Sequence, residues 1–547
     1  MAESLLTRVF KVCICCTLIL LCLERSGTDA ANILMIGNYG KGSHFLALVP
    51  VGRSLLKQGH NVTFLISEEY SFRAQDAKYS ELFKFEIFHN SDPDYSVKEF
   101  FQKLEELGFS ESGSLLQFYK LFSTFSRAIV KTCDSVLEDE AMMKRFETLD
   151  AIVADIGWPC SLAIKAYLRS RSRNDPRLIL TSPTTVNNAP FDILGSPYNP
   201  AYQPFTMTGF TSSMSFTQRL INTLSLFSMR VFVSLMGSEF QSVLDKHNLS
   251  SYLGGSDRMA SWRNMTDLFL ISCDFAMEFP FPLTPNIIPV GGLTAGPAKD
   301  VGKDLNDFME SSGEHGVVIF TLGSYFASYT SVRPDVLKIF LDALARIPQK
   351  VIIQLKDTPS IPLPPNVKAM PWLPQNDLLG HPKTRLFIYH GGNNGFHEAL
   401  YHGVPVIVIP FFGDHVDIMV RVTSRGMGLG IDRAHLSVDY VYRQMNEVLT
   451  NQTYRDRAKQ LSAIFKDRPM TPADRAAFWI NHVINHGGDY MRSPANDLPF
   501  VQYHLLDVFS FLLGIVCLTV YLSYKFLKLF IRCCVYVLNS LVKVKRD

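Results

Sequence analysis

Charge is scarce in this chain. Asp, Glu, Lys and Arg supply 19% of its 547 residues, below the quarter usual for soluble domains. The two signs nearly cancel, with 53 basic and 51 acidic residues and a net charge of +2. Without a basic field the chain has no electrostatic grip on nucleic acid, and no such partner is expected. Cysteine is also thin. Of the 10 cysteines, Cys13, Cys15, Cys16 and Cys22 lie in an N-terminal apolar run, and Cys517, Cys533 and Cys534 lie near the C-terminus. Only Cys133, Cys160 and Cys273 remain for the body, and none has CxxC spacing. A disulfide framework and a zinc site are therefore not indicated, and at most one bridge can form. Hydrophobic residues reach 47%, which excludes disorder over most of the length. The length suits three to four domains, or two large ones with additions.

Long apolar runs are missing from the body and present at both ends. Arg8 and Lys11 precede an uncharged run at 12–23, and Glu24 and Arg25 follow it. That run is too short to span a bilayer but fits the apolar region of a signal peptide, expected over 1–30 with cleavage between Gly27 and Ala31. Residues 508–524 carry no charge, and 503–506 extend them toward the interface, so one transmembrane helix is expected at 503–524. The tail, 525–547, holds Lys525, Lys528, Arg532, Lys543, Lys545 and Arg546 against Asp547. Positive residues stay on the cytosolic side, which predicts a single-pass type I protein with a lumenal body. Asn61, Asn248, Asn264 and Asn451 each open an Asn-x-Ser/Thr sequon and are glycosylation acceptors if the body is lumenal. Lys543 and Lys545 near the end resemble a dilysine retrieval signal, which points to the endoplasmic reticulum membrane.

Inside the body, Pro280, Pro282, Pro285, Pro289, Gly291, Gly292, Gly296 and Pro297 crowd one stretch. Such density breaks regular structure and predicts a linker at 279–300. On each side short β-branched runs alternate with helical stretches, the rhythm of βαβ units and parallel sheets. Strands are expected at 33–36, 62–66, 151–154 and 178–180, then at 317–320, 351–354, 386–389 and 406–409. Helices are expected at 44–57, 159–168, 334–346, 394–402, 417–425 and 438–450, with 95–145 largely helical. The fold class is α/β, with two Rossmann-like domains (31–278 and 301–500) facing a cleft. Ligands of such sheets bind beyond the carboxyl ends of the strands. Residues 213–238 are apolar apart from Arg219 and Arg230. They read equally as a helix on a membrane or an apolar pocket, or as an ordinary buried helix.

The densest polar cluster runs from Trp372 and Gln375 through His390-Gly391-Gly392-Asn393-Asn394-Gly395 and Glu398 to Asp414-His415. The middle piece follows a strand and opens a helix. Its glycines let backbone approach a ligand, and free N–H groups at the helix start attract phosphate. Glu398 can accept hydrogen bonds from ribose hydroxyls. Trp372 can stack on a base. An acid beside an imidazole at 414–415 suits sugar hydroxyls. Metal readings are weaker. His397 and His402 lie five apart, which turns a helix by about 500° and leaves them roughly 140° apart, whereas a zincin needs four. Asp92-Pro93-Asp94 reads as a solvated loop. No metal is expected. The glycines of 37–42 are out of order for a dinucleotide fingerprint, which disfavours a dehydrogenase.

The span 372–430 resembles the signature of the UDP-glycosyltransferase family, in particular the membrane-bound animal UDP-glucuronosyltransferases. Phe320-Thr321-Leu322-Gly323-Ser324 and Asp474-Arg475-Ala476-Ala477-Phe478-Trp479-Ile480 are similar as well. The resemblance implies a GT-B-like fold and a hexosyltransferase that moves glucuronate, glucose or galactose from a UDP-sugar to a hydroxyl of a small lipophilic acceptor, with inversion and no cofactor. It implies that Ser324, His390, Gly392, Asn394 and Gly395 hold the diphosphate, Trp372 and Gln375 the uracil end, Glu398 the ribose, and Asp414 and His415 the sugar. His44, in Gly42-Ser43-His44-Phe45, is the implied catalytic base and Asp155 its partner. Glucuronosyltransferases usually have Gln where His415 stands; a His resembles the ceramide galactosyltransferase branch and puts glucuronate in doubt as sole donor. The acceptor region is expected within 72–254. Self-association and association with a related chain stay open. A non-catalytic lumenal receptor for lipophilic ligands is the alternative of another class.

Overall fold

A computed structural model describes residues 30–544, except 93, 110–114, 172–173, 185–194, 254–263, 327, 329–331, 358–360 and 412. The expected signal peptide lies outside the described residues, apart from Ala30, and so does the end of the retrieval signal.

The first sheet begins with β1 (Asn32–Ile36), followed by α1 (Gly42–Lys57), β2 (Asn61–Ser67) and β3 (Lys84–Phe88). Two helices, α2 (Val97–Phe109) and α3 (Leu115–Glu138), fill the stretch expected to be helical. Then come β4 (Ala151–Asp155), α4 (Cys160–Arg171), β5 (Arg177–Ser182), a long α5 (Phe216–Lys246), β6 (Leu268–Ile271) and β7 (Ile287–Pro289). All pairings are parallel, in the order β3-β2-β1-β4-β5-β6-β7. Strand β7 corrects the expected linker. Ile287 and Ile288 are buried, and as an edge strand β7 tolerates Pro289 where a central strand would not.

The second sheet contains β8 (Val317–Thr321), α6 (Pro334–Leu344), β9 (Lys350–Gln354), β10 (Val367–Met370) and β11 (Thr384–Tyr389). It continues through α7 (Asn393–His402), β12 (Val406–Val408), α8 (His415–Ser424) and β13 (Gly428–Gly430) to α9 (Val438–Thr450) and α10 (Gln452–Lys466). Its order is β10-β9-β8-β11-β12-β13, again parallel. In each sheet the strand order reverses once, between β1 and β4 and between β8 and β11. Those two switch points are where open α/β sheets form ligand crevices.

Helix α11 (Pro472–His486) was expected in the second domain but belongs to the core of the first. Its small apolar face, Ala476, Ala477, Ile480 and Val483, is fully buried in one cluster with Ile33, Val51 and Leu268. Asp474 receives the Ser54 hydroxyl of α1 at 2.6 Å. The chain from 30 to 492 is one compact unit.

Residues 493–547 form a separate unit. Its helix, α12 (Leu506–Val544), runs 39 residues, past the expected end at 524. Lys525, Lys528 and Arg532 are good helix formers with no Gly or Pro among them, so charge arrives without a helix break. Leu506–Leu541 is the one described helix long and apolar enough to cross a membrane. At about 54 Å that span exceeds a hydrocarbon core of about 30 Å.

Helix α5 decides between the readings of 213–238. Phe216, Leu220, Ile221, Leu224, Phe227 and Val231 are solvent-exposed, while Asn222 and Leu226 face inward. Over 216–231, whose side chains are described, it is not an ordinary buried helix.

Candidate active site

The two residues after the first switch point meet. His44 sits in the first turn of α1, just beyond β1, and Asp155 is the last residue of β4, the strand beside it. His44 Nδ1 is hydrogen-bonded to Asp155 Oδ2. The other carboxylate oxygen accepts the Gly157 N–H at 2.9 Å, which fixes its plane. With Nδ1–H given to the buried Asp155, the basic lone pair of a neutral His44 lies on Nε2. Burial alone would lower the pKa of His44; the charge and hydrogen bond of Asp155, with a smaller contribution from Asp414, raise it above the usual value. Asp414 precedes α8 (His415–Ser424), a helix that follows β12 of the second sheet.

The loop that delivers His44 is bent in a way few residues permit. Asn38 (φ 43°), Tyr39 (φ 50°) and Gly40 (φ 98°) are left-handed in succession. Trp158 Nε1–H donates to Asn38 Oδ1 at 2.6 Å, which ties the His44 loop to the Asp155 loop a second time. Neither Asn38 nor Trp158 was picked from the sequence; the lone Trp three residues after Asp155 was the available signal.

At the second switch point Ser324 is the second residue of the short helix Gly323–Phe326 after β8, and His390 follows β11. A Cβ on Gly323 would collide with the His390 ring. Burial pushes His390 down to about 4, so its imidazole is neutral. Gly391 is left-handed (φ 96°), and Gly392 caps α7. The Asn394 side chain donates to Ser43 O at 3.1 Å, beside His44. One N–H of the Asn394 amide is thus engaged by the loop that carries His44. Asn393 makes a parallel stitch, donating to Pro183 O at 2.9 Å and Ser272 O at 3.1 Å. Gly395 is small because Gln375 and Tyr389 press on it at 3.0 and 3.2 Å from where a Cβ would be.

Glu398 lies one turn farther along α7. Gln375 Nε2 donates to it at 2.6 Å and Thr294 Oγ1 at 2.7 Å. Burial raises its pKa to about 7 against the pull of those donors. Thr294 was missed because it lies in the Pro/Gly stretch read as a linker. Trp372 is 57% exposed.

Asp414 is the N-cap of α8 and His415 its first residue. The His415 ring stands edge-on to His390, 4.9 Å between centroids. His415 Nδ1 accepts the Phe411 N–H at 3.3 Å. Burial, then His390 and Arg433, hold its pKa far below the ordinary value. His415 is therefore neutral, with its proton on Nε2.

The remaining candidates separate from this cluster. His397 Nδ1 meets Asn393 O and His402 Nε2 meets Asn376 Oδ1. Asp92 pairs with Lys131 at 2.8 Å. Asn61, Asn248 and Asn451 are exposed and Asn264 is half-buried. Cys133 and Cys160 form a disulfide joining α3 to α4, and Cys273 is a buried free thiol.

Residues 32–543 match the family described as UDP-glucoronosyl and UDP-glucosyl transferase. The chain belongs to that family. UDP-glucuronosyltransferase 2B1 of Rattus norvegicus is 32% identical over 518 residues, 93% of this chain and 94% of the relative. UDP-glucuronosyltransferase 2C1 of Oryctolagus cuniculus is 37% identical over 414 residues, 75% and 79% of the two chains. Two solved structures share the GT-B fold at low identity. The calicheamicin glycosyltransferase CalG4 aligns with a TM-score of 0.55 and 17% identity, covering 84% of this chain and 99% of its own. The spinosyn forosaminyltransferase SpnP gives 0.57 and 16%, covering 84% and 100%. As a UDP-glycosyltransferase the chain is a hexosyltransferase that takes its sugar from a UDP-sugar.

Proposed function

We propose that this enzyme transfers a hexosyl or hexuronosyl group, with inversion, to a hydroxyl of a small lipophilic acceptor at the lumenal face of the endoplasmic reticulum membrane. The observation that carries the mechanism is the His44–Asp155 pair at one switch point, stitched through Ser43 to the glycine turn at the other. His44 Nε2 takes the acceptor proton as the oxygen attacks the anomeric carbon. Asp155 keeps the ring oriented and stabilises the imidazolium. As the new C–O bond forms, the bond from the anomeric carbon to the diphosphate breaks and UDP leaves. Its growing charge meets the N–H groups at the start of α7, with Ser324 and His390 beside them. Gln375 and Trp372 take the uracil end, Glu398 the ribose, and Asp414 and His415 the sugar. The scheme needs no cofactor and no metal.

Neutral His415 brings no charge to the sugar, which favours a neutral hexose beside the glucuronate named for the relatives. The Cys133–Cys160 bridge suits an oxidising compartment, and the basic residues after 524 suit a cytosolic tail. Microsomes containing the protein, given UDP-glucuronate, UDP-glucose and UDP-galactose with a mixture of phenols, steroids and ceramide, should release UDP with at least one donor in an acceptor-dependent way. No release with any donor would instead favour a ligand-binding protein that kept the fold.

A further inference from the structure

Between β5 and β6 the first domain sends out a long excursion, and part of it, residues 199–209, reaches the second domain as a strap. One buried side chain fastens each end. On α5, Asn222 is 0% exposed; its Oδ1 accepts the Phe205 N–H at 2.6 Å, and its Nδ2 donates to Pro200 O at 2.9 Å and Gln203 O at 2.8 Å. On α8, Asp417 is 4% exposed; it accepts the Met207 N–H at 2.7 Å and the Gly209 N–H at 3.4 Å. Met207 (φ 71°) and Gly209 (φ 65°) are both left-handed, and that double bend turns two N–H groups toward one carboxylate. The fit is close: a Cβ on Gly209 would lie 2.8 Å from Val416 Cγ1. Arg421, one turn on, grips Glu278 at 2.7 and 2.8 Å and donates to the Asp417 carbonyl at 3.0 Å. The strap is thus held by a charge-assisted pair of backbone donors on the helix that opens with Asp414 and His415.

We propose that Asp417 is a positioning residue for the transfer: it locks the acceptor-side strap to the helix that grips the sugar, so that the acceptor is held in line and water is kept from the anomeric carbon. This rests on the sugar lying at Asp414 and His415, as proposed above. With the strap released, UDP-sugar still binds α7 and its neighbours. The acceptor loses one wall, and water takes its place as nucleophile. Water's oxygen then bonds the anomeric carbon, its proton goes to His44, and UDP leaves with free sugar as the second product.

The test uses the full chain in microsomes and three variants. Asp417→Ala removes both acceptors, Asp417→Asn keeps one oxygen, and Gly209→Ala drives the strap off Val416 without touching the carboxylate. For Asp417→Ala and Gly209→Ala the acceptor KM should rise about tenfold or more, the size of a lost hydrogen bond to a charged group. The ratio of UDP released to glycoside formed should rise with it, UDP affinity should stay near wild type, and Asp417→Asn should fall between. If Asp417→Ala fails to fold, Gly209→Ala carries the same readouts. Unchanged acceptor KM and product ratio overturn the proposal, as does loss of UDP affinity in parallel with them. A wild-type chain that releases no UDP at all overturns instead the transferase mechanism on which the proposal rests.

Discussion

In the proposed mechanism, two residues brought together from positions 44 and 155 set the pH behaviour of the reaction. His44 must be neutral to accept a proton, and Asp155 raises its pKa above the ordinary value. The acid limb of kcat/KM should therefore lie above about 6.5, the value for an unperturbed imidazole. Asp155→Asn removes the charge that raises it. The limb should move to lower pH while the plateau falls by about 10² to 10⁴, as when a triad carboxylate is lost. pH–rate profiles of both proteins check this, and superimposable limbs would refute it. His44→Ala should abolish transfer with UDP affinity retained, measured by calorimetry. At this scale the sequence pointed to residues that the fold brings together, but not to every contact. It did not show that the Asn394 amide bridges to Ser43, and it left Thr294 and Asp417 unread because their partners lie about a hundred and two hundred residues away along the chain.

Elements carry the site through their ends. The turn between β11 and α7 works because Gly391 is left-handed and packed, its missing Cβ 2.9 Å from Val408 and 3.1 Å from His415. Gly391→Ala adds a left-handed strain of about 1–2 kcal/mol before any clash, so UDP should bind about tenfold more weakly or worse. Titration of UDP against the variant reads this directly. The bridge between α3 and α4 closes 27 residues. By chain entropy such a loop stabilises by about 3–4 kcal/mol. Replacing Cys133 and Cys160 with Ser should lower Tm by about 4 °C for a body of this size; an unchanged Tm would remove the bridge from the account. Periodicity identified the central strands and most helices within a few residues. It missed β3, β6, β7, β10 and β13. Four of them, β3, β7, β10 and β13, are edge strands, and β13 is Gly-Leu-Gly, whose strand character comes from its neighbour β12 and not from its own residues.

For the whole molecule the testable matter is which side of a membrane the body occupies. The proposal places it in the lumen, where Asn61, Asn248 and Asn451 are exposed and Asn264 half-buried. Endoglycosidase treatment of the full chain from microsomes should then increase its mobility, and each Asn→Gln change at a used site should remove one step. A chain unaltered by the enzyme would put the body on the cytosolic side. The sequence by itself determined the apolar helix near the C-terminus, the two parallel α/β sheets and the glycine turn that opens a helix after the 386–389 strand, because each is a local pattern of a few to some tens of residues. Only the tertiary structure decided that 472–486 returns to the first core, that His415 is neutral, and that Asn393, Asn394 and Asp417 reach across to the other sheet. Those outcomes depend on burial and on partners distant along the chain, and neither is encoded in the spacing of nearby residues.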